Sequence, residues 1–231
     1  VRSAADPSRL HFRIVTAASD AAPLAKRLRA NLPAGTNVEC VSFDPWGPRV
    51  GRLLGGKSSQ RKELFNALNF AAFYLHEVFA DAERVMYLDT DVVVLADLAE
   101  ELSELDLGGH PAAVAEDCSQ ILGKYIDMDK LKKKGIIDEL AATLEIKAKK
   151  KTCVVNRGVV LIHTARWKAL NITGAIEALV LAHVSSRGPL WRSGVSQPPF
   201  LLALAGRYHD LGSAYNVRGL GRGDIAPDEV Q

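Results

Sequence analysis

The pattern of apolar and polar residues along the chain predicts strands and helices that alternate. Residues 11–18 form a short apolar run that predicts a strand, and residues 20–32 carry a leucine at every fourth position, which predicts a helix. Residues 38–43 predict a second strand, and the proline- and glycine-rich segment 44–48 then predicts a loop. The chain therefore begins with a predicted β-α-β unit.

The same alternation continues through the rest of the chain. We expect a helix at 60–79, strands at 84–88, 112–115 and 153–163, and a helix at 174–186. Strands and helices of these lengths in alternation favour an α/β fold with a mostly parallel central sheet and right-handed crossovers. A chain of 231 residues has room for one such domain, so we expect a single domain over residues 1–231. Gly158, inside the last strand, predicts a bulge or a close backbone approach.

Lysine is concentrated in residues 124–151, around a helical stretch at 136–146. We interpret this segment as a solvated, lysine-rich helical insertion, and a phosphate or polyanion site is the less favoured alternative. Over the whole chain, 29 Lys and Arg face 27 Asp and Glu, and the net charge is only +2. This balance indicates no general attraction to nucleic acid or to a membrane surface.

The chain starts at Val1, without a basic leader or an apolar run long enough to cross a bilayer. We expect any targeting segment or membrane anchor to lie outside these residues. The three cysteines lack the CxxC spacing of a zinc or thioredoxin-like site. Their residue context alone predicts free, buried thiols.

Two carboxylates, Asp89 and Asp91, stand between the apolar runs 85–88 and 92–95. Burying these carboxylates without a partner would cost free energy, because they would lose their hydration. In an extended segment residues i and i+2 point to the same side, so both can bind one hard divalent cation, Mn²⁺ or Mg²⁺. A position just beyond a parallel strand is also where open sheets bind ligands. The alternative is an acidic turn in which one Asp caps a helix.

A second chemistry presents the same triplet. Haloacid dehalogenase-type phosphohydrolases carry a nucleophilic Asp and an acid/base Asp two residues apart after an apolar strand. Thr164, Gly223, Asp224 and Asp228 imitate the later motifs of that family. Two βα units precede the triplet here, whereas in those enzymes it follows the first strand, so this reading ranks second.

Five segments, in order and approximate spacing, resemble glycosyltransferase family 8, and most closely its plant galacturonosyltransferase-like branch. The resemblance extends from His11 to about Gly223. The segments are residues 68–75 (LNFAAFYL), 84–94 (RVMYLDTDVVV), 153–162 (CVVNRGVVLI), 193–202 (SGVSQPPFLL) and 215–221 (YNVRGLG).

The resemblance implies a GT-A type, Rossmann-like nucleotide-sugar-binding fold and a hexosyltransferase-type enzyme. It implies a UDP-sugar donor, with UDP-galacturonate as one candidate, a glycan acceptor such as a cell wall polysaccharide, and retention of anomeric configuration. Asp89 and Asp91 then form the DxD motif that holds Mn²⁺ or Mg²⁺ against the diphosphate. The plant-like branch also implies the Golgi lumen.

The resemblance assigns further site residues by position. Thr16, Ala17 and Asp20 match the segment that holds the uridine, partly through backbone groups. Asn156 and Gly158 match an Asn-x-Gly motif in which the Asn lies near the donor sugar and the Gly admits it close to the backbone. Taken without the resemblance, the first three residues are a plain strand end and Asn156 is a turn residue.

Gln197 matches a glutamine beside the anomeric carbon, where it can steady the transition state. The alternative is a solvent-facing residue before a Pro-Pro turn. Ala72 stands where the family has a cationic residue, and Arg61 or Lys62 can take over the role of that cation. Ser196 stands where the family has an acidic residue. These departures leave a catalytically weak nucleotide-sugar-binding homologue as an alternative function.

Two more expectations come from the resemblance. The family supplies a third metal ligand from a His-x-x-Gly-x-x-Lys segment beyond the Gly-rich tail, and this chain ends first, at Gln231. We therefore expect a C-terminally truncated catalytic region with an incomplete metal site. Cys118 and Cys153 match cysteines of the plant branch, which suggests a lumenal disulfide.

Overall fold

The computed structural model describes residues 3–55, 66–136, 138–139, 142, 146, 148–191 and 194–217. These residues belong to two compact units. The first consists of residues 1–74 and 93–106, and the second of residues 75–92 and 107–231. The single domain expected over residues 1–231 stays a prediction.

Fifteen strands and helices are used below, besides short 3₁₀ helices. In chain order they are β1 (His11–Thr16), α1 (Ala18–Asn31), β2 (Asn37–Ser42), α2 (Gly47–Leu54), α3 (Leu75–Val78), β3 (Arg84–Leu88), α4 (Leu98–Leu102), β4 (Ala112–Ile121), α5 (Leu122–Tyr125), α6 (Met128–Lys133), β5 (Cys153–His163), α7 (Thr164–Ala169), α8 (Ile172–Ser185), α9 (Gln197–Leu204) and β6 (His209–Asp210).

The first unit contains the predicted β-α-β start. β1 and β2 pair in parallel, from His11 opposite Asn37 to Thr16 opposite Ser42, and α1 forms the connection. The strands and the helix agree with the predicted segments to within about two residues at most ends, which is the usual uncertainty of element boundaries.

Two predictions, one in this unit and one that extends from it into the second unit, are wrong in detail. The expected loop at 44–48 is instead a 3₁₀ helix, Asp44–Trp46, that leads directly into α2. Pro45 and Pro48 stand in the first turns of these helices, where a missing N–H costs nothing. The expected helix at 60–79 is a 3₁₀ helix over Ala67–Tyr74 followed by α3, and its beginning lies outside the described residues.

The second unit is built on a four-stranded sheet of order β3-β5-β4-β6. β4 and β6 run parallel, and β5 is antiparallel to both β3 and β4. Three of the four strands therefore share one direction, which agrees with the α/β fold and the mostly parallel sheet predicted from sequence. The reversal of β5 is a finding that the periodicity did not indicate.

Apolar burial holds this unit together. β5 has the predicted bounds, and its residues 158–162 are all buried. Trp167 of α7 is 1% exposed and donates from Nε1 to Thr173 Oγ1 at 2.9 Å, so the indole satisfies its polar atom inside the core. Thr164 Oγ1 donates to the carbonyl of Ala82 at 2.6 Å, which ties α7 to the chain before β3.

The lysine-rich segment 124–151 is helical at its start, as expected. Met128 and Leu131 of α6 are buried, whereas the three lysines at 132–134 are exposed. Most of the helical stretch expected at 136–146 lies outside the described residues. The interpretation of this segment as a solvated insertion stays a prediction.

A disulfide joins Cys118 near the end of β4 to Cys153 at the start of β5, across a sequence separation of 35. Cys40 is a free thiol. The pairing implied by the family resemblance is confirmed, and the expectation of three free thiols is wrong. Among the described helices, none combines the length and apolarity that crossing a bilayer requires.

Candidate functional site

The first unit presents three predicted site residues at the carboxyl end of β1. The Thr16 carbonyl accepts a hydrogen bond from Phe43 N at 2.9 Å. Ala17 is the extended residue that precedes α1, and Asp20 lies exposed in the first turn of that helix. A strand end that leads into a helix with an exposed carboxylate in its first turn suits a polar ligand such as a nucleoside.

Asp44 supports this helix start and was missed by sequence reasoning. Its Oδ2 accepts a hydrogen bond from Ala18 N at 3.2 Å, so a carboxylate from beyond β2 caps α1. Asp is a common capping residue, but a cap normally comes from the residue next to the helix. Nothing in the local sequence assigns Asp44 to a helix that starts 26 residues earlier.

In the second unit Asp89 and Asp91 follow the end of β3. They lie in a turn in which Val92 N donates to Asp89 O at 3.4 Å, so the extended geometry assumed for the triplet is wrong. Asp89 is half-buried, whereas Asp91 is exposed. Leu95 is 84% exposed, so the apolar run after the triplet is not buried either. The burial argument thus holds only for Asp89.

Two hydrogen bonds fix Asp89. Its backbone N–H donates to Gly158 O at 2.8 Å, and its Oδ1 accepts from Tyr87 Oη at 2.5 Å. Burial, the hydrogen bond to Asp89 and the negative charges of Asp89 and Asp91 raise the pKa of Tyr87 well above its usual value. The phenol therefore stays protonated and remains a donor to Asp89.

The two carboxylates suit a hard divalent cation. Neither forms an ion pair with any residue that the structure describes. Both negative charges act on the Tyr87 hydroxyl, and so does the positive charge of Arg157, so the three groups share one neighbourhood. In the described ranges no His or third carboxylate completes a three-ligand group with them. Oxygen ligands of this kind, completed by phosphate oxygens, fit Mn²⁺ or Mg²⁺.

Gly158 lies in a bulge of β5, as its sequence predicted. Along β4 the partners step from Val114 opposite Val160 to Ala115 opposite Asn156, so β5 residues 157–159 have no partner on β4. A Cβ on Gly158 would lie 3.3 Å from a side-chain atom of Asn216. Both readings of this glycine, a bulge and a close approach, are confirmed.

Both polar atoms of the Asn156 side chain form hydrogen bonds at the bulge. Its Oδ1 accepts from Gly158 N at 3.2 Å, and its Nδ2 donates to Asn216 O at 3.4 Å. Asn216 is a second residue that sequence reasoning did not assign to the site. The available signal was its position in the family-like segment 215–221. Asn156 is therefore a strand residue, and its reading as a turn residue is wrong.

Gln197 is the first residue of α9 and is half-buried. Its Nε2 donates to the Val155 carbonyl at 3.4 Å, next to Asn156 in sequence. Pro198 and Pro199 are buried in the first turn of the helix, so the alternative of a solvent-facing residue before a turn is wrong. Its Oε1 accepts no hydrogen bond from the described residues and is available to a ligand.

The second unit thus gathers five of the predicted site residues along β3 and β5. They are Asp89, Asp91, Asn156, Gly158 and Gln197. Thr16, Ala17 and Asp20 lie together in the first unit. Ala72, which stands where the family has a cation, is only 7% exposed. Arg61 and Lys62, its suggested substitutes, fall outside the described residues.

Thr164 argues against the phosphohydrolase alternative. Its hydroxyl donates to Ala82 O and lies 3.0 Å from Glu83 O, so it is bound to backbone and not presented to a phosphate. Asp89, which would be the nucleophile in the phosphohydrolase alternative, accepts a hydrogen bond from Tyr87. Gly223, Asp224 and Asp228 lie outside the described residues.

The sequence pattern of the family called glycosyl transferase family 8 matches residues 25–230. The chain belongs to this family. Glycosyltransferase 8 domain-containing protein 2 of Bos taurus is 31% identical over 198 residues, which are 80% of this chain and 54% of that protein. Human glycosyltransferase 8 domain-containing protein 1 is 29% identical over 224 residues, covering 93% and 58%. The chain spans little more than half the length of these family 8 relatives.

Solved structures show the same GT-A fold. Mouse xyloside xylosyltransferase 1 superposes with a TM-score of 0.56 at 14% identity, covering 88% of this chain and 71% of that one. An active-site mutant of LgtC gives 0.53 at 20%, covering 86% and 59%. LgtC in complex with donor and acceptor sugar analogues gives 0.50 at 15%, covering 86% and 71%. At these identities the likeness establishes the fold of this family 8 chain and not its substrate.

Proposed function

We propose that the protein transfers a sugar from a UDP-sugar to a glycan acceptor with retention of configuration, using a divalent cation held by Asp89 and Asp91. One observation carries the proposal. Two carboxylates that form no ion pair with a described residue are joined, through the bond from Asp89 N to Gly158 O, to the strand that carries Asn156. Asp89, proposed to hold the metal, follows β3, and Asn156, proposed to bind the sugar, lies on the adjacent strand β5. A donor whose diphosphate is bonded to its sugar requires these two groups to be neighbours.

The residues of the chain have separate tasks in this reaction. Tyr87 holds the Asp89 carboxylate. For Thr16, Ala17 and Asp20, in the first unit, the proposal keeps the uridine role that the family resemblance implies. Asp89 and Asp91 would hold Mn²⁺ or Mg²⁺, whose charge would offset that of the departing diphosphate. Asp89 and Asp91 act as holders, and neither attacks the substrate.

At the sugar, the bond from the anomeric carbon to the diphosphate oxygen breaks, and its electron pair leaves with UDP. The acceptor hydroxyl oxygen forms the new bond to that carbon from the face that the diphosphate leaves, which retains the configuration, and its proton passes to the departing diphosphate oxygen. The Gln197 carbonyl oxygen, which accepts no hydrogen bond from described residues, is suited to stabilise positive charge at the anomeric carbon. The Asn156 amide can bind a sugar hydroxyl.

Donor and compartment are part of the proposal. A disulfide between Cys118 and Cys153 favours an oxidising compartment, which supports the Golgi lumen. UDP-galacturonate remains the candidate donor that follows from the plant-like branch. It is best compared with UDP-glucose and UDP-galactose, because the pocket residues alone do not select among hexoses.

Calorimetry of UDP binding tests the metal role. We expect UDP to bind in the presence of Mn²⁺ and to lose most of its affinity when EDTA removes the metal. Asp91→Ala should weaken Mn²⁺-dependent UDP binding by about tenfold or more, because one of two charged ligands is lost. Asp129→Ala is the matched control, since that carboxylate is 80% exposed on α6. Equal heats for the unaltered chain and Asp91→Ala would remove the metal role.

A catalytically weak nucleotide-sugar binder is the second candidate. Ala72 favours it, because an alanine supplies no cation where the family carries one. This candidate predicts UDP-sugar binding without hydrolysis or transfer. Hydrolysis of any of the three nucleotide sugars by this chain, abolished by Asp91→Ala, would exclude it.

A further inference from the structure

Asn216 and Asn156 form a reciprocal pair. Asn216 Nδ2 donates to the Asn156 carbonyl at 3.1 Å, and Asn156 Nδ2 donates to the Asn216 carbonyl at 3.4 Å. The two residues are 60 positions apart, one in β5 and one at the end of the 3₁₀ helix Ser213–Asn216. Each side chain thus binds the backbone of the other.

These bonds give the Asn156 amide a single orientation. Its Oδ1 accepts from Gly158 N, and its Nδ2 faces the Asn216 carbonyl. If the amide turned over, its NH₂ group would face the N–H of Gly158 and its oxygen would face a carbonyl, so both contacts would become repulsive. One Nδ2 hydrogen and one Oδ1 lone pair remain for a ligand.

Asn216 also packs on the glycine of the bulge. A Cβ on Gly158 would lie 3.3 Å from Asn216 Nδ2 and 3.4 Å from its Oδ1. The carbonyl of the same glycine accepts the N–H of Asp89. Asn216 therefore supports the backbone between the sugar-side amide and the metal-side carboxylate.

We propose that Asn216 is a positioning residue of the donor site, which fixes the Asn156 amide for a hydroxyl group of the donor sugar. The inference rests on the proposed function, because it requires a nucleotide sugar at Asn156. An amide that is already held loses little conformational freedom on binding. Asn216 should therefore strengthen binding of the sugar and leave binding of UDP alone unchanged.

Asn216→Asp tests this role with a side chain of the same size. The substitution replaces the Nδ2 donor by an oxygen that faces the Asn156 carbonyl. Calorimetry with Mn²⁺ gives the affinities for UDP and for the tightest-binding of UDP-glucose, UDP-galactose and UDP-galacturonate. Asn37→Asp is the control, because Asn37 Nδ2 also donates to a carbonyl, that of Ser8 at 3.3 Å, in the first unit.

We expect UDP affinity within about twofold of the unaltered chain and a UDP-sugar to UDP affinity ratio about tenfold lower. Asn37→Asp should leave both values unchanged. The double variant Asn156→Ala, Asn216→Asp should have the same ratio as Asn156→Ala, because the effect of Asn216 passes through Asn156. Asn216→Ala, which adds no charge, should show the same pattern and serves if the Asp variant fails to fold.

Three results would overturn the inference. One is an unchanged ratio, and another is a double variant in which the losses of the two single variants multiply. The third is a fall of UDP and UDP-sugar affinities by the same factor, which marks a purely structural role. Failure of the proposed function would give a different experimental result. An unaltered chain that binds neither UDP nor a UDP-sugar with Mn²⁺ would contradict the proposed function itself.

Discussion

The two units hold their site residues by different means. In the first unit Thr16, Ala17 and Asp20 stand within one strand end and the following helix turn. In the second unit Asp89, Asn156 and Asn216 come from separate segments and are joined by hydrogen bonds across β3 and β5. The first arrangement follows from local sequence, whereas the second depends on tertiary packing. Substitutions should therefore affect the second more strongly.

The largest effect is expected from removal of the disulfide. The double variant Cys118→Ser, Cys153→Ser frees a loop of the second unit, because the two residues are 35 positions apart. This variant should lower the free energy of unfolding by about 2–4 kcal/mol. Thermal and denaturant unfolding measure the change. Cys40→Ser, in β2 of the first unit, is the control and should cost under about 1 kcal/mol. Equal stability of the double variant and the unaltered chain would contradict the structural role of the bridge.

Gly158→Ala should have the next largest effect. The added Cβ would lie 3.3–3.5 Å from amide atoms of Asn216 and Asn156, so a neighbour must move. We expect a loss of about 1–3 kcal/mol in stability and weaker UDP-sugar binding. The control is Gly51→Ala in α2, where a Cβ meets no atom within 4 Å and should raise stability by up to about 1 kcal/mol. If both glycine variants behave alike, the close approach at Gly158 has no energetic consequence.

Asp44→Ala probes the first unit. It removes the acceptor of the Ala18 N–H and should lower the free energy of unfolding by about 0.5–2 kcal/mol, the usual worth of a helix cap. Urea unfolding gives the value. Asp44→Asn keeps an acceptor oxygen and should recover much of the loss, and a failure to recover would show that the charge matters more than the hydrogen bond.

Asp20→Asn is expected to have the smallest effect. The carboxylate is exposed, so water screens it, and UDP affinity should fall by only about threefold. The dependence on Mn²⁺ should be the same as in the unaltered chain. A loss as large as that of Asp91→Ala, or a changed metal dependence, would mean that the first-unit residues do more than receive the uridine.

The sequence predicted β1, β2, β3 and β5 well, because burial imposes a clear pattern on them, whereas β4, expected at 112–115, extends to Ile121 and β6 was not expected. β5 has the bounds expected from its apolar run, and the bulge at Gly158 followed from a glycine inside a strand. The direction of β5 was not predictable, since strand periodicity is the same in parallel and antiparallel sheets. The prolines at 45 and 48 suggested a loop, although the first turn of a helix accepts proline equally well.

The positions of candidate residues were predictable where these residues are neighbours in sequence. Thr16, Ala17 and Asp20 lie at a strand end that the pattern locates, whereas their uridine role came from the family resemblance and stays a prediction. The geometry of Asp89 and Asp91 was not predictable, because apolar flanks suggested an extended, buried segment and the chain instead forms an exposed turn. Asn216 was not predictable from its own surroundings, since its role depends on a partner 60 residues away.

A crystal structure with UDP and Mn²⁺, with anomalous diffraction to locate the metal, tests the central claim most directly. The account predicts one manganese peak within about 2.0–2.6 Å of carboxylate oxygens of both Asp89 and Asp91, bridged to diphosphate oxygens. UDP bound without a metal at these carboxylates, or manganese held elsewhere on the chain, would contradict it.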